Sequence, residues 1–299
     1  MKKKTDNGKT HTYLLNGRYA LLGICILFVF YFSYVFILLQ PTHDRNWESG
    51  LAKLPHIEIK NDIVKITDLR DYEYLPGRFV SERYIDRTVD ISKLQKVWFV
   101  IEPFEGIPLI KFGGIAHTYF VFDFADEKPI VISVEARREK GEKFGLLSGM
   151  LNQFELMYVW GTEEDLTFRR VLIEENNLSM YPLMISRESG QRLFLQLART
   201  TKELETTPRF YNSLTSNCTN ELAKNANKSK PGTIPYNYVW FFPGFSGQLL
   251  YDLKLIPHDK PFEEITQRYA ISDFVRKYND RSDFSPLLRT HLQNETIKK

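Results

Sequence analysis

The apolar positions of the chain begin with one long uninterrupted run near the N-terminus. Residues 19–39, YALLGICILFVFYFSYVFILL, contain no charged side chain. A helix rises about 1.5 Å per residue, so a run of this length crosses the roughly 30 Å hydrocarbon layer of a bilayer. We therefore predict a transmembrane helix over residues 19–40. A cleaved signal peptide is the alternative, but the run is too long for one, and the following QPTHD has no small-residue cleavage motif.

The charges before this run indicate its orientation. The basic residues of the tail 1–18 are Lys2, Lys3, Lys4, Lys9 and Arg18, and Asp6 is the acidic residue opposing them. Because the cytoplasmic flank of a membrane span is the one richer in Lys and Arg, we expect residues 1–18 in the cytoplasm. Everything after the span is then extracytoplasmic.

Beyond the span the pattern predicts a tether and then one folded domain. Residues 41–56 are polar and are expected to form the tether, with His43 and His56 exposed to solvent, and residues 57–299 form the domain. Runs of strand length alternate there with amphipathic runs of helical period. The predicted strands are 63–74, 94–104, 117–124, 130–137, 154–161 and a hairpin of 168–175 with 178–186. The predicted helices are 143–152, 186–204, one starting near Cys218, and a closing helix within 272–289. This mixture indicates an α+β fold.

Two of these strands form a predicted hairpin with a polar turn at residues 126–129. In the first strand the phenylalanines share one face, while His117 and Tyr119 share the other. If Pro129 belongs to the turn, Phe124 pairs with Ile130 and Tyr119 with Glu135. His117 would then lie near Glu135 and Arg137.

Cys218 is the candidate nucleophile of the chain. Ser216 and Asn217 provide helix-capping chemistry just before it, and a helix-forming run follows. At a helix start, unpaired N–H groups and the positive end of the helix dipole favour a thiolate and lower its pKa. The other cysteine, Cys25, lies in the predicted span, so Cys218 has no disulfide partner in the external domain. Intermolecular pairing or a purely structural buried cysteine are the alternatives to catalysis.

A cysteine nucleophile needs a base, and the histidines offer few candidates. His117 begins a core strand and is the preferred base, although it could instead be a structural histidine. His258 is a second possibility but lies in a turn.

Composition and motifs argue against several other functional classes. The formal net charge of +3 is spread without a long basic block after the N-terminus, so no nucleic acid partner is expected. Neither P-loop nor Rossmann glycines nor zinc-ligand spacing is present, so we expect no cofactor and no metal. GFSGQ around Ser246 lacks the last glycine of a serine-hydrolase elbow. The aromatic segment 236–245 could line an acyl-binding groove, enter the bilayer interface or fill the core.

Three motifs resemble a known family. AHTYFVFDF, ISVEARREKGE and FYNSLTSNCTNEL, in this order, are similar to a bacterial envelope domain long classed as of unknown function, which includes the lipoprotein intramolecular transacylases. The resemblance covers residues from about 63 to 289, and SDFSPLLR is similar to the end of that domain. It implies a circularly permuted papain-like or NlpC/P60-like fold, in which the histidine strand precedes the cysteine helix.

The resemblance also implies roles for individual residues. Cys218 would be the nucleophile, His117 the general base, and Glu135 or Ser133 the group that orients it, with a backbone carbonyl as a third possibility. We expect the substrate to be bound by Arg137, Tyr119, Asn217, Tyr211, Asn212 and Trp240. The backbone N–H groups at the helix start are suited to bind an oxyanion.

The expected function is therefore a cysteine-dependent acyltransferase in the bacterial cytoplasmic membrane. It would move an acyl chain from a diacylglyceryl lipoprotein to the α-amine of that protein through an acyl-thioester, so its partner is a membrane lipid or lipoprotein. One span is visible here, whereas the transacylases have several, which leaves the acceptor open. A thiol peptidase or amidase acting on cell-wall peptides and a non-catalytic envelope binding module are the alternatives.

Overall fold

The computed structural model of the protein describes residues 7–104 and 114–297. The chain divides into a unit that ends at Thr42 and a compact unit that begins at His43. The first unit is the helix α1 (Asn7–Ser33), continued by a π-helical turn over Tyr34–Leu38. Its window Leu21–Leu38 has a mean hydropathy of 2.6 and is 6% buried, so it is long and apolar enough to cross a membrane.

The second unit is built on a large mixed sheet. Its strands are β1 (His56–Lys60), β2 (Ile63–Arg70), β5 (Tyr84–Asp90), β6 (Leu94–Pro103), β7 (Ala116–Phe124), β8 (Glu127–Arg137), β9 (Glu155–Thr162) and β10 (Ser179–Pro182). They lie in the order β1-β2-β9-β8-β7-β6-β10, with β5 also paired to β2. The short strands β3 (Glu73–Leu75) and β4 (Arg78–Ser81) form a separate hairpin. The predicted α+β class is confirmed.

Helices cover both faces of the central strands. They are α2 (Leu146–Met150), α3 (Glu163–Phe168), α4 (Arg187–Thr206), α5 (Cys218–Ser229), α6 (Ser246–Asp252), α7 (Phe262–Arg268), α8 (Ser272–Tyr278) and α9 (Phe284–Ile297). On one face Phe194 of α4 stacks edge-on against Phe122 and Phe124, with ring centroids 5.0 and 5.3 Å apart. Arg170, in the π-helical turn that follows α3, lies over Tyr119 on the other face. Because both faces are covered, β7 is buried almost throughout.

The hairpin β7–β8 forms as expected, but its register differs from the prediction by two residues. Phe122 pairs with Ile130 and Tyr119 with Ser133, because the turn uses only Ala125 and Asp126. Asp126 takes a left-handed conformation with φ 61°, which short polar side chains tolerate. Pro129 falls at the irregularity between Phe122 and Phe124, where no ladder donor is required. A shift of two residues preserves the face of every side chain.

Several other predicted elements differ from those observed. The helix expected over 143–152 is limited to α2, and the closing helix is divided into α8 and α9. Residues 168–173 of the predicted strand 168–175 are helical, because Thr162 caps α3 through the Asp165 N–H at 3.3 Å and a π-helical turn continues it to Ile173. Its expected partner does form the edge strand β10, consistent with Pro182 there.

The segment expected to be a tether packs on the domain from His43 onward. Arg45 pairs with Glu155 at 2.7 Å, and Trp47 bridges to Glu139. His43 is half-buried and its Nε2 lies 2.6 Å from the Leu204 carbonyl, so it is not a solvated residue as predicted. The chain between the apolar helix and the folded unit is therefore shorter than the sequence suggested.

Candidate functional site

Cys218 is the first residue of α5, as predicted. Asn217 caps this helix: its side-chain oxygen accepts from the Asn220 N–H at 2.9 Å, and the Asn220 side chain accepts from the Asn217 N–H at 3.2 Å. Ser216 does not cap; its hydroxyl donates to Glu221 at 2.8 Å. This reciprocal capping fixes the helix start on which the sulfur is carried.

The strand β7 brings His117 to this thiol. The Cys218 sulfur lies 3.9 Å from the Ala116 carbonyl, and the thiol and the His117 imidazole are close enough for each to shift the pKa of the other. Residues 117 and 218, separated by a hundred positions in the sequence, are thus adjacent in the fold. They are the two residues that the sequence suggested as a candidate nucleophile and its base.

Ser133 and Glu135, on the neighbouring strand β8, support the imidazole. His117 Nε2 lies 2.7 Å from Ser133 Oγ and 3.3 Å from Glu135 Oε1, and the Ser133 hydroxyl donates to Glu135 at 2.7 Å. Since the serine proton is directed to the carboxylate, Ser133 Oγ accepts from His117 Nε2–H. Nδ1 is then the imidazole nitrogen left to exchange a proton with the thiol.

A buried arginine fixes the Glu135 carboxylate, which accepts the Ser133 hydrogen bond. Arg170 donates to Glu135 at 2.8 Å and to Glu102 at 2.9 Å, and its guanidinium lies 4.7 Å from the Tyr119 ring centroid. Arg170, Glu102 and Tyr119 are all buried. The cation thus holds two carboxylates on the side of the sheet where His117 projects.

The electrostatic surroundings favour a thiolate and an imidazolium. Burial is the largest influence on the Cys218 thiol and by itself raises its pKa. The interaction with His117 and its charge, together with hydrogen bonding from Thr118, outweigh burial, so the pKa of Cys218 lies below the ordinary value. Burial also opposes the imidazolium, yet the Glu135 charge and the contact with Cys218 raise the pKa of His117 to about 10. Although burial opposes it, the charges of His117 and Arg170 hold the pKa of Glu135 well below its usual range. Both shifts favour the state in which the proton is on His117.

We expect the reactivity of Cys218 toward iodoacetamide to report this pair. In a Cys25→Ser background, the rate should fall as pH decreases through a midpoint below the about 8.5 of a free thiol. His117→Ala removes the interactions that lower the pKa and leaves burial, so the midpoint should rise.

His258→Ala provides the matched control, because His258 contacts the Ile256 carbonyl and not the thiol. It should leave the midpoint unchanged. An unchanged midpoint in His117→Ala would contradict the proposed pairing.

Cys218, His117 and Glu135 line a cavity of about 680 Å³. This volume lies within the range of about 300–1,000 Å³ that is usual for small-molecule sites. The apolar side chains of its wall are Phe104, Ile115, Ala116, Val134, Ala136, Phe144, Leu146, Met150, Leu214, Phe241, Phe242, Pro243 and Phe245. The reactive pair therefore faces a largely aromatic and aliphatic space.

The helix start also supplies donors for a developing negative charge. Within the part of the chain that the structure describes, the N–H groups of Cys218 and Thr219 have no hydrogen-bond acceptor, whereas those of Asn220 and Glu221 bond to Asn217. Free N–H groups beside a nucleophile can bind the oxyanion of a tetrahedral intermediate.

Two of the six residues expected to bind substrate line the cavity, and the other four do not. Tyr211 and Asn217 line the cavity. Tyr119 is fully buried beneath Arg170, and the Asn212 amide donates to the Met150 carbonyl and to the Asn152 side-chain oxygen, both at 3.1 Å. Tyr119 and Asn212 thus support the site without lining it.

Arg137 and Trp240 also differ from the prediction. The guanidinium of Arg137 donates to the carbonyls of Leu51 and Ala52 at 2.8 and 2.7 Å, and it stacks on Trp47. It is held away from His117; Arg138, the next residue, lines the cavity instead. The Trp240 ring is buried, and its carbonyl accepts from the amides of Asn217 and Asn220 at 3.0 and 2.6 Å. Trp240 thereby ties the aromatic segment to the start of α5.

Sequence reasoning missed Arg170 and Glu102. Arg170 was placed in a predicted strand, where an arginine is expected to point to solvent. Glu102 ends an apolar strand and lies opposite His117 in the β6–β7 ladder. A carboxylate within an otherwise apolar strand was the signal available for it.

A metal site is not evident in residues 7–104 and 114–297. No group of three or more His, Cys, Asp or Glu side chains there is placed to hold a metal ion.

This arrangement of a thiol, an imidazole and a hydroxyl–carboxylate relay defines a domain with a cysteine-type candidate site. A family described as the Lnb N-terminal periplasmic domain matches residues 81–239, more than half of the 299 residues. The chain therefore belongs to the family of the Lnb N-terminal periplasmic domain. Cys218, His117, Ser133 and Glu135 all fall in the matched range. No curated protein and no solved structure matches the chain.

Membership of this family indicates where the folded domain is located. A periplasmic domain family, together with one apolar helix at the N-terminus, fits a single-pass membrane protein with an extracytoplasmic domain.

Proposed function

We propose that the protein is a cysteine-dependent acyltransferase that acts on a lipid-linked ester at the outer face of the cytoplasmic membrane, with its N-terminus in the cytoplasm. The observation that carries this proposal is the Cys218–His117 pair, supported by Ser133 and Glu135 and opening into an apolar cavity. A nucleophile in an aromatic and aliphatic space is suited to a substrate with acyl chains.

The reaction has two steps. The Cys218 thiolate attacks the carbonyl carbon of the ester, a C–S bond forms, and the C–O bond breaks as His117 gives its proton to the leaving alcohol. The acceptor amine then attacks the thioester, a C–N bond forms, and the C–S bond breaks. His117 takes the proton of the amine, and the thiolate is restored.

During each attack the carbonyl oxygen gains negative charge. The N–H groups of Cys218 and Thr219 would bind it at the start of α5, where the helix dipole adds to their effect. Glu135 and Ser133 hold the imidazole in the orientation that keeps its reactive nitrogen on the thiol.

The donor and acceptor follow from the resemblance of the motifs to the lipoprotein transacylases. The donor would be the diacylglyceryl group of a lipoprotein and the acceptor its own N-terminal amine. A circularly permuted papain-like fold belongs to the same proposal, since the histidine strand precedes the cysteine helix in the chain and meets it at the site.

A thiol peptidase or amidase would use the same pair. A cell-wall peptide would require many polar groups along its cleft, whereas most of the cavity wall is apolar. A non-catalytic binding module would not need Cys218 at all.

Mass spectrometry of lipoprotein N-termini tests the proposal in cells that make the wild type, Cys218→Ala or His117→Ala. We expect N-acylated termini only with the wild type. The same N-termini in all three would remove the transacylase function, and altered cell-wall peptides with intact lipoproteins would favour the amidase.

A further inference from the structure

Exposed apolar side chains surround the mouth of the catalytic cavity. We define the cavity rim as Phe144, Leu146, Leu147, Leu214, Tyr238 and Phe242, which are between 38% and 74% exposed. They come from three separate parts of the chain: the start of α2, the turn before α5 and the aromatic segment. Five of the six also line the cavity, and Leu147 lies beside them in α2.

The aromatic part of the rim is held in place by buried contacts. Tyr238 stacks on Phe245, with ring centroids 5.8 Å apart, and the segment is tied to α5 through the Trp240 carbonyl. Phe144 packs edge-on against the buried Tyr211 at 6.0 Å. The exposed side chains are thus presented on fixed backbone. A soluble surface seldom holds a connected apolar patch of this kind without a partner.

The length of the connection limits how far this domain can lie from a membrane that the apolar helix spans. The apolar helix and its π-helical turn end at Leu38, and the compact unit begins at His43. Five residue steps extend at most about 18 Å, less than the diameter of a small domain. A domain on so short a connection to a membrane span stays against the bilayer.

We propose that the cavity rim inserts into the outer leaflet of the membrane, so that the cavity opens directly into the lipid. Tyrosine and phenylalanine beside leucine are the side chains that membrane interfaces favour. A lipid-linked acyl chain then passes from the leaflet to Cys218 without crossing water. The inference rests on the proposed function for what enters the cavity, but the rim contact itself requires no catalysis.

A spin label on the rim tests this contact in the full-length protein. Leu147→Cys is made in a Cys25→Ser, Cys218→Ala background, labelled with a nitroxide and placed in nanodiscs of phosphatidylethanolamine and phosphatidylglycerol, one chain per disc. Met184→Cys is the matched control, since Met184 is also apolar and exposed but does not line this cavity.

Molecular oxygen concentrates in the bilayer and a nickel chelate stays in water, so the two relaxation agents report depth. We expect the label at residue 147 to favour oxygen and the label at residue 184 to favour the chelate. A label at 147 as accessible to the chelate as that at 184 overturns the inference. Because one chain occupies each disc, contact with a second copy cannot produce the expected result.

A functional measurement separates this inference from the proposed function. Leu147→Glu should lower acyl transfer from a bilayer-embedded substrate about tenfold, the equivalent of about 1.4 kcal/mol, and leave cleavage of a short water-soluble thioester unchanged. Equal loss on both substrates would contradict membrane insertion. No thioester cleavage by the wild type would refute the proposed function, while the depth measurement, made without Cys218, would stand independently.

Discussion

Cys218→Ala is expected to lower the rate of acyl transfer at least about 10⁴-fold, as removal of the nucleophile does in covalent enzymes. No other thiol can replace it among the described residues, since Cys25 belongs to the apolar N-terminal helix. The Asn217 cap does not involve the sulfur, and alanine is small enough for the buried position, so the fold should be retained. Transfer from a diacylglyceryl lipopeptide in nanodiscs, followed by mass spectrometry, measures the rate.

Cys25→Ala is the control for this experiment and should retain the wild-type rate. Substantial transfer by Cys218→Ala would show that the thiol is a structural residue. The cavity would then have to be explained as a binding site.

Arg170→Met is expected to cause the largest loss of stability. It leaves the buried Glu102 without its cation and Glu135 with only His117 as a counter-charge, a change that costs about 3–5 kcal/mol. For a unit of this size the melting midpoint should fall by about 10 °C. The difference in melting midpoint between Arg170→Met and the wild type should decrease as the pH is lowered, because protonated carboxyl groups carry no charge for the cation to balance. Thermal unfolding of the purified full-length protein at several pH values measures both effects.

Arg83→Met provides the comparison at the surface. Arg83 is 63% exposed and pairs with Asp71, and such a pair contributes less than about 1 kcal/mol. Similar losses in Arg83→Met and Arg170→Met would contradict a supporting role for the buried network.

Much of the site could be predicted from local sequence. Polar residues before a helix-forming run placed Cys218 at a helix start, and alternation within two strands placed His117 and Glu135 on one face of a hairpin. The predicted register was wrong by two residues, yet an even shift keeps every side chain on its face, so the contact survived. The family-like motifs joined the two halves, which local pattern alone could not do.

The remaining site depends on long-range packing. Arg170 and Glu102 meet because most of a predicted strand is instead the π-helical turn that follows α3, and helix propensity was a weak guide there. Arg137 was expected to bind substrate, but the carbonyls of Leu51 and Ala52 and the Trp47 ring bind it instead. Whether the aromatic segment filled the core or lined a cavity depended on the start of α5, where Asn217 and Asn220 bind the Trp240 carbonyl.

The proposed catalysis requires an acyl-thioester at Cys218, and intact-protein mass spectrometry detects this intermediate most directly. The wild type, mixed briefly with a diacylglyceryl lipopeptide whose amine is blocked, should gain the mass of one acyl chain. Hydroxylamine at neutral pH should remove this mass, and Cys218→Ala should not acquire it. Absence of the adduct in a wild-type protein that still transfers acyl chains to an unblocked lipopeptide would contradict covalent catalysis by Cys218.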